Sequence, residues 1–190
     1  MNCPFSYTVI RSNRKTIALE ITRDGKLLVR CPFGTTNQYI EDFVRDKSGW
    51  IEKHLSAKSA PVTPFTPEQI KDFAIRTKAL LQPRLEQYAR QLGVSYNRVT
   101  IRSQHSRWGS CCKHKNGVYN LNFNCLLALV PTEVLDYVVV HELCHIREMN
   151  HSKAFWQLVE TVLPDYAIRK KWLRDQGGEL IRRLPSPKML

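Results

Sequence analysis

The chain has 190 residues, 43% of them hydrophobic and 24% charged, with a formal net charge of +12. That length can bury a sizeable core without covalent staples, in one domain or one domain with a small appendage. No run approaches the roughly eighteen apolar residues of a membrane span, and the first residues lack an apolar signal stretch, so the expectation is a cytoplasmic protein with no membrane segment.

Residues 5–11 and 16–31 read as strands, with Ile17, Leu19 and Ile21 alternating and Leu27 and Val29 doing so again. Asp24-Gly25 between the runs predicts a two-residue hairpin turn. From Asn37 to Leu55 the pattern becomes helical through Ile40, Phe43, Val44, Trp50, Ile51 and Leu55, with a break near Ser48-Gly49. Residues 59–67 (SAPVTPFTP) hold three prolines and read as a linker or rigid crossing segment. Thr66 caps the next helix with Pro67 at its first position; that helix runs to Leu92, with a kink or break at Pro83 and a stop at Gly93.

Val99–Arg102 reads as a strand, and Val118–Phe123 as another after the Asn116-Gly117 turn. A helix opens at Pro131-Thr132-Glu133, a second at Ser152, and a third covers Tyr166 to Leu184 with an interruption at Gly177-Gly178. The division is an N-terminal hairpin-plus-helix subdomain over 1–58, the proline-rich linker 59–67 and a core over 68–190. So short a first segment makes a poor core alone, which favours an integral subdomain.

The six cysteines include no CxxC pair, so reduced thiols are expected rather than a thiolate metal site. Residues 117–163 carry two basic and five acidic side chains, a net of −3, so the remaining residues sum to +15. A basic surface attracts nucleic acid, nucleotides or acidic proteins; its plainer role is solubility.

The mildly acidic segment contains HELCHIREMNH, residues 141–151, with three of the six histidines. His141 and His145 stand at i and i+4 on one helical face, where two imidazoles reach one ion. Glu142 is rotated by about 100° from His141 and can lean over the open side of the ion as general base for a water. His151 is the third ligand. On an unbroken helix it would point about 240° away from His145, so the helix must end between them. Asn150 in a left-handed conformation ends it, and Ser152 caps the next. Imidazole ligands and hydrolytic chemistry point to Zn2+, and nickel, cobalt or iron could occupy the same donor set. His54, His105 and His114 read as surface residues.

The run from SRWGSC (106–111) through HELCHIREMNH to VLPDY (162–166) resembles the YgjP-like zinc metallopeptidase family, zincins related to the SprT-like and WLM groups. RKTIALEITRDGKLLVRCP, FVRDKSGWIEKHL and KKWLRDQGG extend the resemblance over nearly the whole chain. It implies His141, His145 and His151 as ligands and Glu142 as the catalytic glutamate. It also implies an α+β fold with a zincin-like core, an active-site helix packed on a small, mostly antiparallel sheet. The His-x3-His-x5-His spacing equals that of the metzincins, but Glu148 stands where those have glycine.

In SRWGSC, Arg107 is a candidate for oxyanion or substrate binding, Trp108 for packing under the metal helix, and Gly109 for a turn. The leading expectation is a zinc-dependent metallopeptidase acting on a peptide or protein, with the 118–123 strand pairing an extended substrate by its edge. The alternatives are a zinc-dependent phosphohydrolase acting on nucleotides or other anions, an SprT-like protease associated with nucleic acid, and a binding module with structural zinc. The last needs a fourth protein ligand, and none is evident.

Overall fold

The computed structural model describes residues 5–22, 25–59 and 62–185. They divide into two compact units, Met1–Val62 and Thr63–Leu190. Each is an α+β arrangement with its own three-stranded sheet.

In the first unit the sheet holds β1 (Tyr7–Ser12), β2 (Ala18–Ile21) and β3 (Leu27–Pro32) in the order β1-β3-β2. β1 runs parallel to β3 and β2 antiparallel to it. The run 16–31 is therefore two strands of one hairpin. Its connection is longer than two residues: the Thr22 amide donates to the Lys26 carbonyl at 2.9 Å and Gly25 takes φ 76°. Asp24 lies outside the described residues. Strict alternation buries Leu27, Val29 and Cys31 on one face of β3. Helix α1 (Asn37–Asp46), capped by Thr36, and α2 (Ser48–Ser59) supply Ile40, Val44 and Ile51 to the same core, and the helical run breaks at Lys47 as its pattern suggests.

The second unit opens inside the proline-rich stretch. Phe65 is buried edge-to-face on Phe73, and its amide donates to the Arg183 carbonyl at 2.7 Å, so the end of that stretch belongs to the core. Helix α3 (Pro67–Leu92) begins with a reciprocal Thr66–Gln69 capping box and stops at Gly93, φ 61°. It continues through Pro83. The buried Thr77, Leu81, Leu85, Tyr88 and Ala89 hold it on both sides, and tertiary packing outweighs the one backbone bond that proline forgoes.

The second sheet contains β4 (Arg98–Arg102), β5 (Gly109–Lys113) and β6 (Tyr119–Asn124) in the order β4-β6-β5. β4 is parallel and β5 antiparallel to β6. Both sheets are thus evenly mixed, where mostly antiparallel pairing is expected from the sequence. The reason is common to both: a hairpin is laid beside an earlier strand that runs the same way as the hairpin's second strand. β5 is also a strand where the sequence suggests only a turn, because GSCCK shows no apolar alternation.

A 3-10 turn (Cys125–Leu129) leads to α4 (Thr132–Cys144), then α5 (Lys153–Val162) and α6 (Tyr166–Arg182). α6 is continuous across Gly177-Gly178. α4 buries residues on almost every side, from Val134 to Cys144, and packs against α3, α5, α6 and β5. The partly buried Arg84–Asp136 ion pair, 2.7 Å, ties it to α3. No helix among the described residues is long and apolar enough to cross a membrane.

Candidate metal centre

α4 carries His141 and Glu142 and ends on His145, whose backbone (φ −63°, ψ −18°) closes the helix. The chain then tightens: the Ile146 amide donates to the Leu143 carbonyl at 3.1 Å and that of Arg147 to Cys144 at 3.0 Å. The helix stops at Cys144, six residues before Asn150. That residue is not left-handed, since no described non-glycine residue has positive φ. Ser152 does cap α5, accepting from the Phe155 amide at 3.2 Å. His151 sits in the corner between the two helices.

The turn brings the three rings together. His141 Nε2 lies 3.2 Å from His145 Nε2 and 3.0 Å from His151 Nε2. These three side chains form the metal-type cluster found among the described residues. His145 Nδ1 is 3.0 Å from the Glu148 carbonyl, which can only accept, so the proton is on Nδ1 and the Nε2 lone pair faces its neighbours. Burial first, then the charges of His145, His151 and Lys170, push the pKa of His141 down to about 3. Burial lowers that of His145 too. Lone pairs facing one another at such distances repel unless a proton or a metal cation lies between them. Two ligands at tetrahedral positions about 2.0–2.1 Å from one zinc are about 3.3 Å apart, so the donor set fits a divalent ion.

Aromatic rings surround this cluster. Phe155 stacks on His145, with ring centres 4.6 Å apart, and Trp156 on His151 at 5.6 Å. The Tyr137 hydroxyl is 3.5 Å from His141 Nδ1, within reach of the proton on the nitrogen that faces away from the cluster. Sequence reading overlooked these neighbours. Tyr137 stands four residues before His141 on the same helix, so helical spacing held a signal for it.

Glu142 is buried, and the SRWGSC segment explains how. A side-chain carbon at Gly109 would come within 2.5 Å of Glu142 Oε1. Glycine is needed there for the carboxylate to approach β5, and not for a turn. Burial raises the Glu142 pKa to about 8, opposed by the Arg107 guanidinium and a backbone hydrogen bond at Cys111. A side-chain carbon at Gly177 would meet the Trp108 ring at 2.8 Å, so Trp108 packs against the α6 backbone and α6 keeps its glycine inside a helix. Arg107, Trp108, Gly109, Tyr137, His141, Glu142 and Leu173 line a cleft of about 240 Å³, with Arg107 exposed.

The loop that delivers Arg107 and Trp108 is held by Asn124, fully buried at the end of β6. Its Nδ2 donates to the carbonyls of Gln104 (2.6 Å) and Arg107 (2.8 Å), and its Oδ1 accepts from the Leu126 amide at 3.1 Å. Of the other histidines, His54 pairs with the Trp50 carbonyl and His114 with Asn120, apart from the cluster.

The sequence profile described as YgjP-like, metallopeptidase domain, matches residues 15–75 and 63–176. The chain belongs to the YgjP-like metallopeptidase family. Membership makes it a metallohydrolase and implies a divalent metal. No curated protein matches it. Among solved structures it is similar to the metallopeptidase zymogen abylysin of Pyrococcus abyssi, at 22% identity, over 50% of this chain and 94% of that chain, with a TM-score of 0.43. A likeness that loose adds nothing to the family assignment.

Proposed function

We propose that this YgjP-like protein is a zinc peptidase in which His141, His145 and His151 hold the ion and Glu142 is the general base. The observation that carries the reading is the convergence of three Nε2 atoms, at 3.0 and 3.2 Å, beside a buried carboxylate. When bound, zinc supplies Lewis acidity, polarising the scissile carbonyl and acidifying a water. Glu142 accepts the water's proton on its carboxylate and returns it to the leaving amine. Burial against Gly109 keeps that carboxylate basic and in place. Phe155 and Trp156 restrict water and fix the ring planes, while the Glu148 carbonyl holds the His145 tautomer.

The strand suited to an extended substrate is β5. β6, the strand favoured by the sequence, is central and paired on both sides, whereas β5 is an edge and begins at Gly109 beside Glu142. Arg107, exposed on the cleft rim, would meet an anionic oxygen of the substrate. The same cation, with Lys170 near His141, favours a second reading, hydrolysis of phosphate esters or nucleotides.

One experiment tests both. The purified protein is offered casein and nucleoside triphosphates with and without chelator, beside Glu142→Gln. The first reading expects chelator-sensitive proteolysis, lost in the variant while its zinc is retained. Cleavage of triphosphates alone selects the second reading, and undiminished activity in Glu142→Gln removes Glu142 as base.

A further inference from the structure

Away from the metal cleft, the second unit carries an open groove between α3 and β4. Lys71, Ala74, Ile75, Lys78, Gln82 and Leu85 lie at helical spacing along one stripe of α3, facing Arg98–Ile101 across a cavity of about 400 Å³. A second cavity of about 590 Å³ continues it, sharing Lys71, Ala74 and Ile101 and ending at Gln104. From residue 71 to 85 the stripe is about 21 Å long, the span of about six extended residues.

Four observations describe what the groove accepts. β4 is an edge strand: among the described residues it pairs with β6 alone, leaving its outer backbone groups open. Its central residues, Val99-Thr100-Ile101, are β-branched and uncharged. Every charged residue lining the two cavities is a cation (Lys71, Lys78, Arg98 and Arg102), and none is ion-paired among the described residues. At the far end Gln104 Oε1 is buried with no hydrogen-bond partner, an acceptor facing no donor.

We propose that this groove docks an extended peptide of alternating acidic and apolar residues, which adds to β4 as a fourth strand. Main-chain hydrogen bonds run along the open edge of β4. Apolar side chains on one face of the peptide cover Ala74 and Ile75, the second of these 63% exposed. Carboxylates on the other face meet Arg98 and Arg102, which alternate with the inward Val99 and Ile101, and Lys71 and Lys78 attract them from the α3 wall. The charge pattern would attract a nucleic acid equally, but the lining is aliphatic and holds no aromatic ring on which a base could stack. The inference concerns a surface distinct from the metal cleft and stands whether or not the hydrolytic reading holds.

The test uses the full-length protein and fluorescent probes of about eight residues, the length of the groove with an overhang. A Glu-Val repeat, a Lys-Val repeat and an oligothymidylate of matched charge are compared by anisotropy, with the peptides verified intact by mass spectrometry. The Glu-Val repeat is expected to bind, to slow hydrogen exchange at alternate amides of β4, and to weaken about tenfold or more in Lys71→Glu/Lys78→Glu. Both lysines are exposed, so that variant keeps its fold, and circular dichroism checks it. Ile75→Asp is a second, independent lesion of the apolar floor with the same expected loss. The proposal is overturned by equal binding of the Lys-Val repeat, by absence of binding at low salt, or by a tighter oligothymidylate complex that the peptide does not displace. Binding that ignores both variants, or protection appearing elsewhere than β4, overturns it too.

Discussion

The two sheets share one plan: a first strand parallel to the third, the third central, the second antiparallel at an edge. Their surroundings differ. The core of the first unit is purely apolar, built from Ile21, Leu27, Val29, Cys31, Ile40, Val44 and Ile51. Every buried polar or charged residue among those described, Thr77, Asn124, Glu142 and His145, lies in the second unit. An identical strand order therefore carries no chemistry by itself. Chemistry enters where a helix is buried on nearly all sides and its polar residues must be satisfied by a metal, by backbone or by a glycine-sized gap.

Substitution of a ligand should separate the two units most sharply. His141→Ala is expected to abolish metal binding and all hydrolysis, measured by metal content and turnover, while an Ile40→Ala change in the first unit leaves metal affinity as it was. Glu142→Gln comes next. It should cost about 10²–10⁴ in turnover with zinc retained. It should also stabilise the metal-free protein at high pH. Because burial raises this carboxyl from 4.5 to about 8, its favourable contribution is complete below 4.5 and is gone once the pH has risen through about 8. A thermal melt at pH 9 should therefore show the metal-free variant above the wild type, and at pH 4 the two should coincide.

Asn124→Ala strips hydrogen bonds from two part-buried carbonyls and a buried amide and should destabilise by about 2–4 kcal/mol, read by chemical denaturation. It should also lower turnover more than zinc affinity, because Arg107 and Trp108 lose their support and the ligands do not. The smallest effect belongs to the first unit's surface. Arg30→Ala removes a 2.6 Å pair with Glu20 whose two side chains are 41% and 49% exposed, and should change stability by less than about 1 kcal/mol with no change at the metal.

Much of this was legible in the sequence where a local rule decides the outcome. Thr66, Gly93 and Ser152 mark helix ends by capping chemistry, and the i, i+4 histidines share a face by helical geometry alone. Where tertiary packing overrides the local rule, the reading failed. Pro83 and Gly177 look like breaks, yet one sits in a helix anchored on both sides and the other is the seat of Trp108. β5 is a strand because β6 offers it an edge, and GSCCK itself carries no alternation. Asn150 looked like the terminator, but the turn closes earlier through 3-10 bonds that no residue type announces. Gly109 could not be assigned its role without seeing the carboxylate that takes the room its missing side chain leaves.

The proposed centre consists of three converging imidazoles, and His151 is the one that depends on the turn rather than on the helix. Metal content of protein isolated without chelator, by native mass spectrometry, is the most direct measurement. One zinc per chain is expected in the wild type and in Glu142→Gln, with the ion lost from His151→Ala. A full equivalent of zinc persisting in His151→Ala at wild-type affinity would contradict the three-histidine centre.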